Sequence, residues 1–245
     1  MKKTTTILCL GIALCMLGCS DDDDQVTTTS TVPFSLTASL SPRSSDAEDT
    51  GILQGNWDAN SQLAVIKTGS SGVPKSILTR KTDSSDTFTG NLSTLVKNEN
   101  EIAVFYPAAA ITANSSDTLT QTLNLSGQDG TLAGITNYDY LWAQCKAGMN
   151  ETTGSSACEM TSLVTIGKFQ FTVNGGSPLN NITRITITAT AGTLYSSAVM
   201  KLKNGEFSST QTGNITIKNK AGISGTTYIS FFPSEAQLHL SLIHI

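Results

Sequence analysis

The sequence predicts an all-β fold, on three observations. Its polarity comes from Thr, Ser, Asn and Gly more than from charge: of 245 residues, 14% are charged and 38% hydrophobic, with 20 glycines. β-Branched Thr suits the solvent face of a strand, and Gly, Asn and Ser make turns. Short apolar runs alternate with polar residues at a period of two, turn residues separate them, and no segment sustains a helical period. The length accommodates one large or two modest domains, each with its own core.

The N-terminus is set apart from the fold. Lys2 and Lys3 precede an apolar stretch, Ile7 to Leu17, that is too short to span a bilayer as a stable helix. This order marks residues 1–18 as an export signal. Met16-Leu17-Gly18-Cys19 is similar to a bacterial lipobox, which implies acylation of the Cys19 thiol and loss of the signal. The alternative is an ordinary signal peptide with an incidental cysteine. Each buried CH₂ adds about 0.8 kcal/mol, so two or three acyl chains anchor a protein without a transmembrane helix. The run Asp21 to Asp24, within a linker over residues 19–31, reads either as an address for the cell surface or as a solvated spacer.

Residues 1–18 carry two lysines and no acid, so their removal takes the net charge from −4 to −6. An acidic chain without basic clusters is a poor partner for nucleic acid. After export, Cys145 and Cys158 are the cysteines of the folded part. Between them lies "KAGMNETTGSSA", a polar segment expected to form a loop. A disulfide closing it contributes about 3 kcal/mol in the chain-entropy model, and two free thiols are the other reading. Two cysteines without nearby histidines make half a zinc site at most.

The strands follow in order. Phe34 to Leu40 alternates strictly, with Phe34, Leu36, Ala38 and Leu40 on one face. Gln62–Lys67, Ser76–Lys81, Asp86–Thr89, Glu101–Tyr106, Leu119–Leu125, Leu141–Lys146 and Leu163–Ile166 continue the series. A second set begins at Lys168–Val173 and runs through Thr183–Thr190, Ala198–Leu202, Asn214–Lys218 and Thr227–Phe232. "IAVFYPA" at Ile102 and "YISFFPS" at Tyr228 echo one another, each an apolar strand stopped by proline. The echo predicts two similar β-sandwich domains, over residues 32–166 and 167–245.

Residues for chemistry are scarce. His239 and His244 are the only histidines, at the far end of the chain, so a Ser/His/Asp or Cys/His arrangement in its body is excluded. No phosphate-binding glycine loop or metal-binding motif occurs, and no cofactor is expected. The acids fall mostly in turn-like stretches such as "DAED" and "DSSD", which reads as solvated loop charge rather than as a catalytic pair. An enzyme is not expected. Trp57, Tyr138, Tyr140 and Trp142 offer either a sugar-stacking platform, with Trp57 and Trp142 as candidate ligand contacts, or ordinary packing. Asp117-Thr118-Leu119 resembles an O-glycosylation acceptor of exported proteins.

Taken in order, these features resemble the fimbrillin-like lipoproteins, or type V pilins, of Gram-negative anaerobes. The matching residues are the lipobox with its acidic run, the alternating strand followed by Arg43, and "GNWDANSQLAV" from Gly55. "AVFYPA", "GQDG" from Gly127, "YDYLWA" from Tyr138 and "KFQFTV" from Lys168 complete the set. The resemblance implies two transthyretin-like β-sandwich domains and a structural subunit of an adhesive surface fibre. It also implies cleavage after an arginine just beyond the first strand, which places processing at Arg43 in "SPRSSDAEDTG"; a solvated loop arginine is the plain alternative. Loss of the strand would expose apolar surface and unpaired backbone, open to strand addition from another subunit. The implied partners are further subunits, the outer membrane through the lipid, and a host or bacterial surface ligand. A fimbrial anchor, a tip adhesin and a surface glycan-binding lipoprotein are the other roles such a chain fits.

The chain ends in "LSLIHI", Leu240 to Ile245, without a polar tail. These residues can be written CTG TCT CTT ATA CAC ATC, the end of a transposon used in sequencing libraries. On that reading residues 240–245 are adapter-derived and the second domain is truncated.

Overall fold

The computed structural model describes residues 30–43, 49, 51–69, 71–82, 86–113, 120–172, 176–179, 181–223, 225–234 and 237–244. The export signal, Cys19, the acidic run, Ser44, Asp117 and Ile245 lie outside the described residues.

The fold is all-β. Its strands are β1 (Thr31–Ser39), β2 (Gln62–Lys67), β3 (Ser76–Arg80), β4 (Thr87–Ser93), β5 (Glu101–Tyr106) and β6 (Thr120–Asn124). Next come β7 (Leu141–Lys146), β8 (Gly148–Met149), β9 (Gly154–Glu159), β10 (Thr161–Ser162) and β11 (Thr165–Gln170). The remainder are β12 (Ile182–Ala191), β13 (Tyr195–Lys201), β14 (Phe207–Thr212), β15 (Ile215–Ile223), β16 (Thr226–Phe231) and β17 (Gln237–His244). Helix is confined, among the described residues, to single turns at Gly51–Gln54, Ala108–Ala110 and Leu132–Ile135.

Nine strands of the first half form one sheet in the order β10-β7-β5-β2-β3-β4-β1-β9-β8. Single-residue Met160 carries the chain from β9 back to β10 at the opposite end of that order, so the sheet is rolled and its ends meet at β7 and β9. The roll does not close with a backbone ladder. Its interior holds Phe34, Leu36, Trp57, Leu63, Val65, Leu78, Phe88, Ile102, Val104 and Leu141.

The two strands at the heart of the roll are buried on both faces. Leu63 and Val65 of β2 point into the roll while Ala64 and Ile66 point out; Ile102 and Val104 of β5 point in while Ala103 and Phe105 point out. The unbroken apolar runs "LAVI" and "IAVFY" follow from this, since a strand covered on both sides has no solvent face for polar residues. The outward residues join a second core with Ile182, Ile185, Ile187, Ala198, Met200, Ile215, Ile217 and Ile229 from the second half.

Three smaller sheets make up that half: β11-β16, β15-β12-β17 and β14-β13-β6. β6 belongs by sequence to the first half yet pairs with β13, Leu123 opposite Ala198. β11 runs through the division at residues 166 and 167, and β6 and one core reach across it. β17 pairs with β12 along its length, from Ala191 opposite Gln237 to Ile182 opposite His244, so Leu240 to His244 stand in a ladder.

Three features differ from what the sequence suggests. The segment between the cysteines is not a loop: it contains β8 and β9, whose small polar residues gave no apolar alternation. β14, "FSSTQT", is nearly all exposed and lacked a pattern for the same reason. On β1 the inward residues are Val32, Phe34, Leu36 and Ala38, and Leu40 sits half-buried beyond the strand.

Candidate functional site

The first strand is an interior strand. β1 runs antiparallel to β4, with Leu36 opposite Phe88, and parallel to β9, with Leu36 opposite Ser156. Its inward side chains are all but sealed: Phe34 is 2% exposed and Leu36 and Ala38 0%. Burial of Val32, Phe34 and Leu36 contributes about 1.5 to 3 kcal/mol each, so a vacated β1 leaves an apolar groove between two unpaired strand edges.

The groove is shaped for a large side chain at its centre. Phe34 faces a glycine on each side in register, Gly90 of β4 and Gly154 of β9. A Cβ on Gly154 would stand 2.7 Å from the Phe34 ring, and one on Gly90 would stand 2.6 Å from the Ile77 carbonyl oxygen. At the far end of β1, the Trp57 indole N–H donates to the Ala38 carbonyl over 2.6 Å. Trp57 is 2% exposed and lies edge-on to Phe88 and Tyr106, with ring centroids 5.0 and 5.2 Å away.

That burial removes Trp57 from any surface platform. Trp142 packs against the other core, its indole N–H donating to the Leu202 carbonyl at 3.3 Å. The two tryptophans are thus not brought together, and both are used in packing. Tyr140 is likewise buried, its hydroxyl donating to the Asn124 carbonyl at 2.6 Å.

The segment after β1 is docked rather than free. Pro42 lies against Gly55, where an added Cβ would stand 3.0 Å from Pro42 Cγ and where φ is +77°, a conformation that suits glycine. The Arg43 amide N–H donates to the Leu53 carbonyl at 2.9 Å. Its guanidinium grips Asp139 with both terminal nitrogens, Nη1 to Oδ1 at 2.5 Å and Nη2 to Oδ2, and Nη1 also reaches Ser162 Oγ at 3.2 Å. This is the forked geometry in which an Arg–carboxylate pair is strongest. Arg43 is therefore not the solvated loop arginine offered as the alternative to a processing site: its side chain is 23% exposed and that of Asp139 is 2% exposed. Burial pushes the Asp139 carboxyl above its ordinary range; the Arg43 hydrogen bond and charge draw it back, and nearby Asp58 adds to the rise.

A second buried acid anchors the return of the chain. Asp49 accepts from the Tyr228 hydroxyl at 2.6 Å and from Lys168 Nζ at 3.1 Å, both in the second half. Asp49 and Asp139 are exceptions to the reading of the acids as solvated charge, because both are nearly sealed and paired. A cleft of about 320 Å³ opens between Arg43, Asp49, Leu53, Ile166 and Lys168. Asp139 and Asp58 line a neighbouring cleft of about 440 Å³ with Ile52, Leu53 and Ile135.

Cys145 and Cys158 are free thiols on the neighbouring strands β7 and β9. Among the described residues no three His, Cys, Asp or Glu side chains converge to hold a metal ion, and no helix is long and apolar enough to cross a membrane.

No protein-family model matches the sequence, and no curated protein matches it. Solved structures do resemble the fold. A candidate cell adhesion protein of Bacteroides ovatus superposes with a TM-score of 0.54 at 16% identity, over 87% of this chain and 84% of that one. A candidate cell adhesion protein of Bacteroides uniformis gives 0.52 at 14% identity, over 88% and 80%. At these identities the likeness establishes a shared fold.

Proposed function

We propose that this chain is a structural subunit of a surface fimbria that supports adhesion, is exported as a lipoprotein through Cys19, and is assembled by strand addition once β1 is lost. The observation that carries the reading is the position of β1. It is the most N-terminal described strand, it stands inside the sheet between β4 and β9, and only Leu40, Ser41 and Pro42 separate its end from an arginine, Arg43. Cleavage after Arg43 severs the covalent link between β1 and the body. It leaves the strand held by its ladders and its apolar face alone. A strand from another subunit with large and small residues at alternate positions then fits the same groove, and no nucleotide or cofactor is needed.

The cut also removes the anchor. Residues 19–43 carry Cys19, four aspartates and one arginine, so lipid, acidic run and first strand depart together. The shared fold with proteins described as candidates for cell adhesion is in keeping with this role. The absence of histidine from the body of the chain favours a structural role over an enzymatic one.

N-terminal sequencing of the protein recovered from purified surface fibres tests the proposal. A stalk subunit begins at Ser44. Subunits that begin at an acylated Cys19 throughout the fibre refute processing, and a Cys19 terminus confined to the fibre base assigns the chain as an anchor instead.

A further inference from the structure

The seam at which the rolled sheet fails to close brings two thiols together. β7 and β9 lie side by side there with no backbone ladder between them. A single side chain bridges the gap in its place: the Ser156 hydroxyl of β9 donates to the Lys146 carbonyl of β7 at 2.7 Å and lies 3.2 Å from Cys145 Sγ. Residues two apart on a strand share a face, so Cys158 stands on the same side of β9 as Ser156. Its thiol lies 3.9 Å from Met160 Sδ, and close enough to Cys145 for each thiol to shift the other's acidity. Both are partly exposed and both border the core of the roll.

We infer that Cys145 and Cys158 are a modification site, oxidised after export to a disulfide that staples β9 to β7 across the open seam. The oxidant is a disulfide, carried by an exported thiol–disulfide oxidoreductase or by a small-molecule couple. The Cys145 thiolate attacks one sulfur of that disulfide and expels the other as a thiol. The Cys158 sulfur then displaces the second acceptor sulfur from Cys145. Two S–H bonds are lost, one S–S bond forms, two protons leave, and the acceptor gains two electrons as a pair of thiols. The neighbouring Cys158 thiol draws the Cys145 thiol below its ordinary value, against the effect of burial and with help from Ser156. The thiolate form of that sulfur is the attacking species.

The bond does not rest on the assembly reading, although its consequence does. β9 is the parallel neighbour of β1, and the Cys158 carbonyl accepts from Ser39 Oγ at 3.3 Å. When β1 leaves, β9 keeps only the two-residue pairing with β8. The staple then holds this wall of the groove in place.

The test uses the native chain recovered from cells, alkylated with iodoacetamide at harvest and digested with trypsin without reduction. The expected product is peptide 98–146 joined to peptide 147–168, lighter by two hydrogens than the separate pair and alkylated only after reduction. Alkylation of both cysteines before reduction, in the bulk of the exported protein, overturns the inference. For stapling, reduction of the parent lowers the unfolding midpoint by roughly 5–10 °C. Reductant leaves the Cys158→Ser variant unchanged. If that variant does not fold, the peptide map of the unaltered chain decides alone.

Discussion

Arg43 and Asp139 form a two-pronged ion pair that ties the segment after β1 to the residue two before β7. Asp139 is the more buried partner, at 2% exposure, and among the described residues Arg43 is the cation that pairs with it. Arg43→Gln leaves that carboxylate buried without its counter-charge and lowers stability by about 3–5 kcal/mol at neutral pH. The sign of the pH dependence follows from the raised carboxyl. Folded Asp139 takes up its proton at a higher pH than the unfolded chain does, so this group adds stability as pH falls through its folded value. Without Arg43 the value rises further, and the deficit of Arg43→Gln against the parent narrows between about pH 7 and pH 5. Denaturant melts at the two pH values check this; a constant deficit contradicts it.

The same pair governs access to the cut. A protease must take the arginine side chain into its own specificity pocket, and here that side chain is held by Asp139 and Ser162. Asp139→Ala frees it, and cleavage after Arg43 by an arginine-specific protease under native conditions rises by about tenfold, the factor for roughly 1.4 kcal/mol of released restraint. Timed digests read by mass spectrometry measure the rate. An unchanged rate shows that the latch is not limiting.

Gly154 gives Phe34 its place. An added methyl group would meet the Phe34 ring at 2.7 Å and also Met149. Gly154→Ala therefore costs about 1–3 kcal/mol through overpacking, and Phe34→Leu in the same chain recovers part of the loss. If the two substitutions are simply additive, the contact does not set the fit.

Trp57 is a strap on β1. Trp57→Phe removes the N–H bonded to the Ala38 carbonyl and leaves a buried acceptor short of a partner, at a cost of about 1–3 kcal/mol. Thermal melts measure the cost. Binding to a polysaccharide panel stays as it is in the parent, and loss of a specific glycan on this substitution would revive the platform reading.

How far the sequence could be read is plain from the same residues. The alternation of β1 identifies its buried face directly, because a period of two is a local property. The apolar runs "LAVI" and "IAVFY" mark β2 and β5 as strands, but only the fold shows that both faces are covered and which face serves which core. β9 was misread because Gly154, Ser155, Ser156 and Ala157 are small and mostly polar; they form a strand since β1 supplies the apolar neighbour. The pairs that define the site lie far apart in the chain, Arg43 and Asp139 by 96 residues, Tyr228 and Asp49 by 179. No local pattern encodes such distances. One local sign did exist: Asp139 stands between Tyr138 and Tyr140 and just before Leu141 and Trp142, and an acid set among apolar residues at the edge of a strand is a candidate for a buried, paired carboxylate.

The central claim is that β1 must leave its groove for subunits to join, and it is tested most directly by preventing the departure. Ser35 of β1 stands opposite Thr89 of β4, so Ser35→Cys with Thr89→Cys allows a reversible bond between the two strands. The account predicts that the bonded variant is exported and cut after Arg43 yet builds no fibres, and that reduction of this added bond restores assembly. Fibres formed at the parent's rate with the bond intact would contradict it.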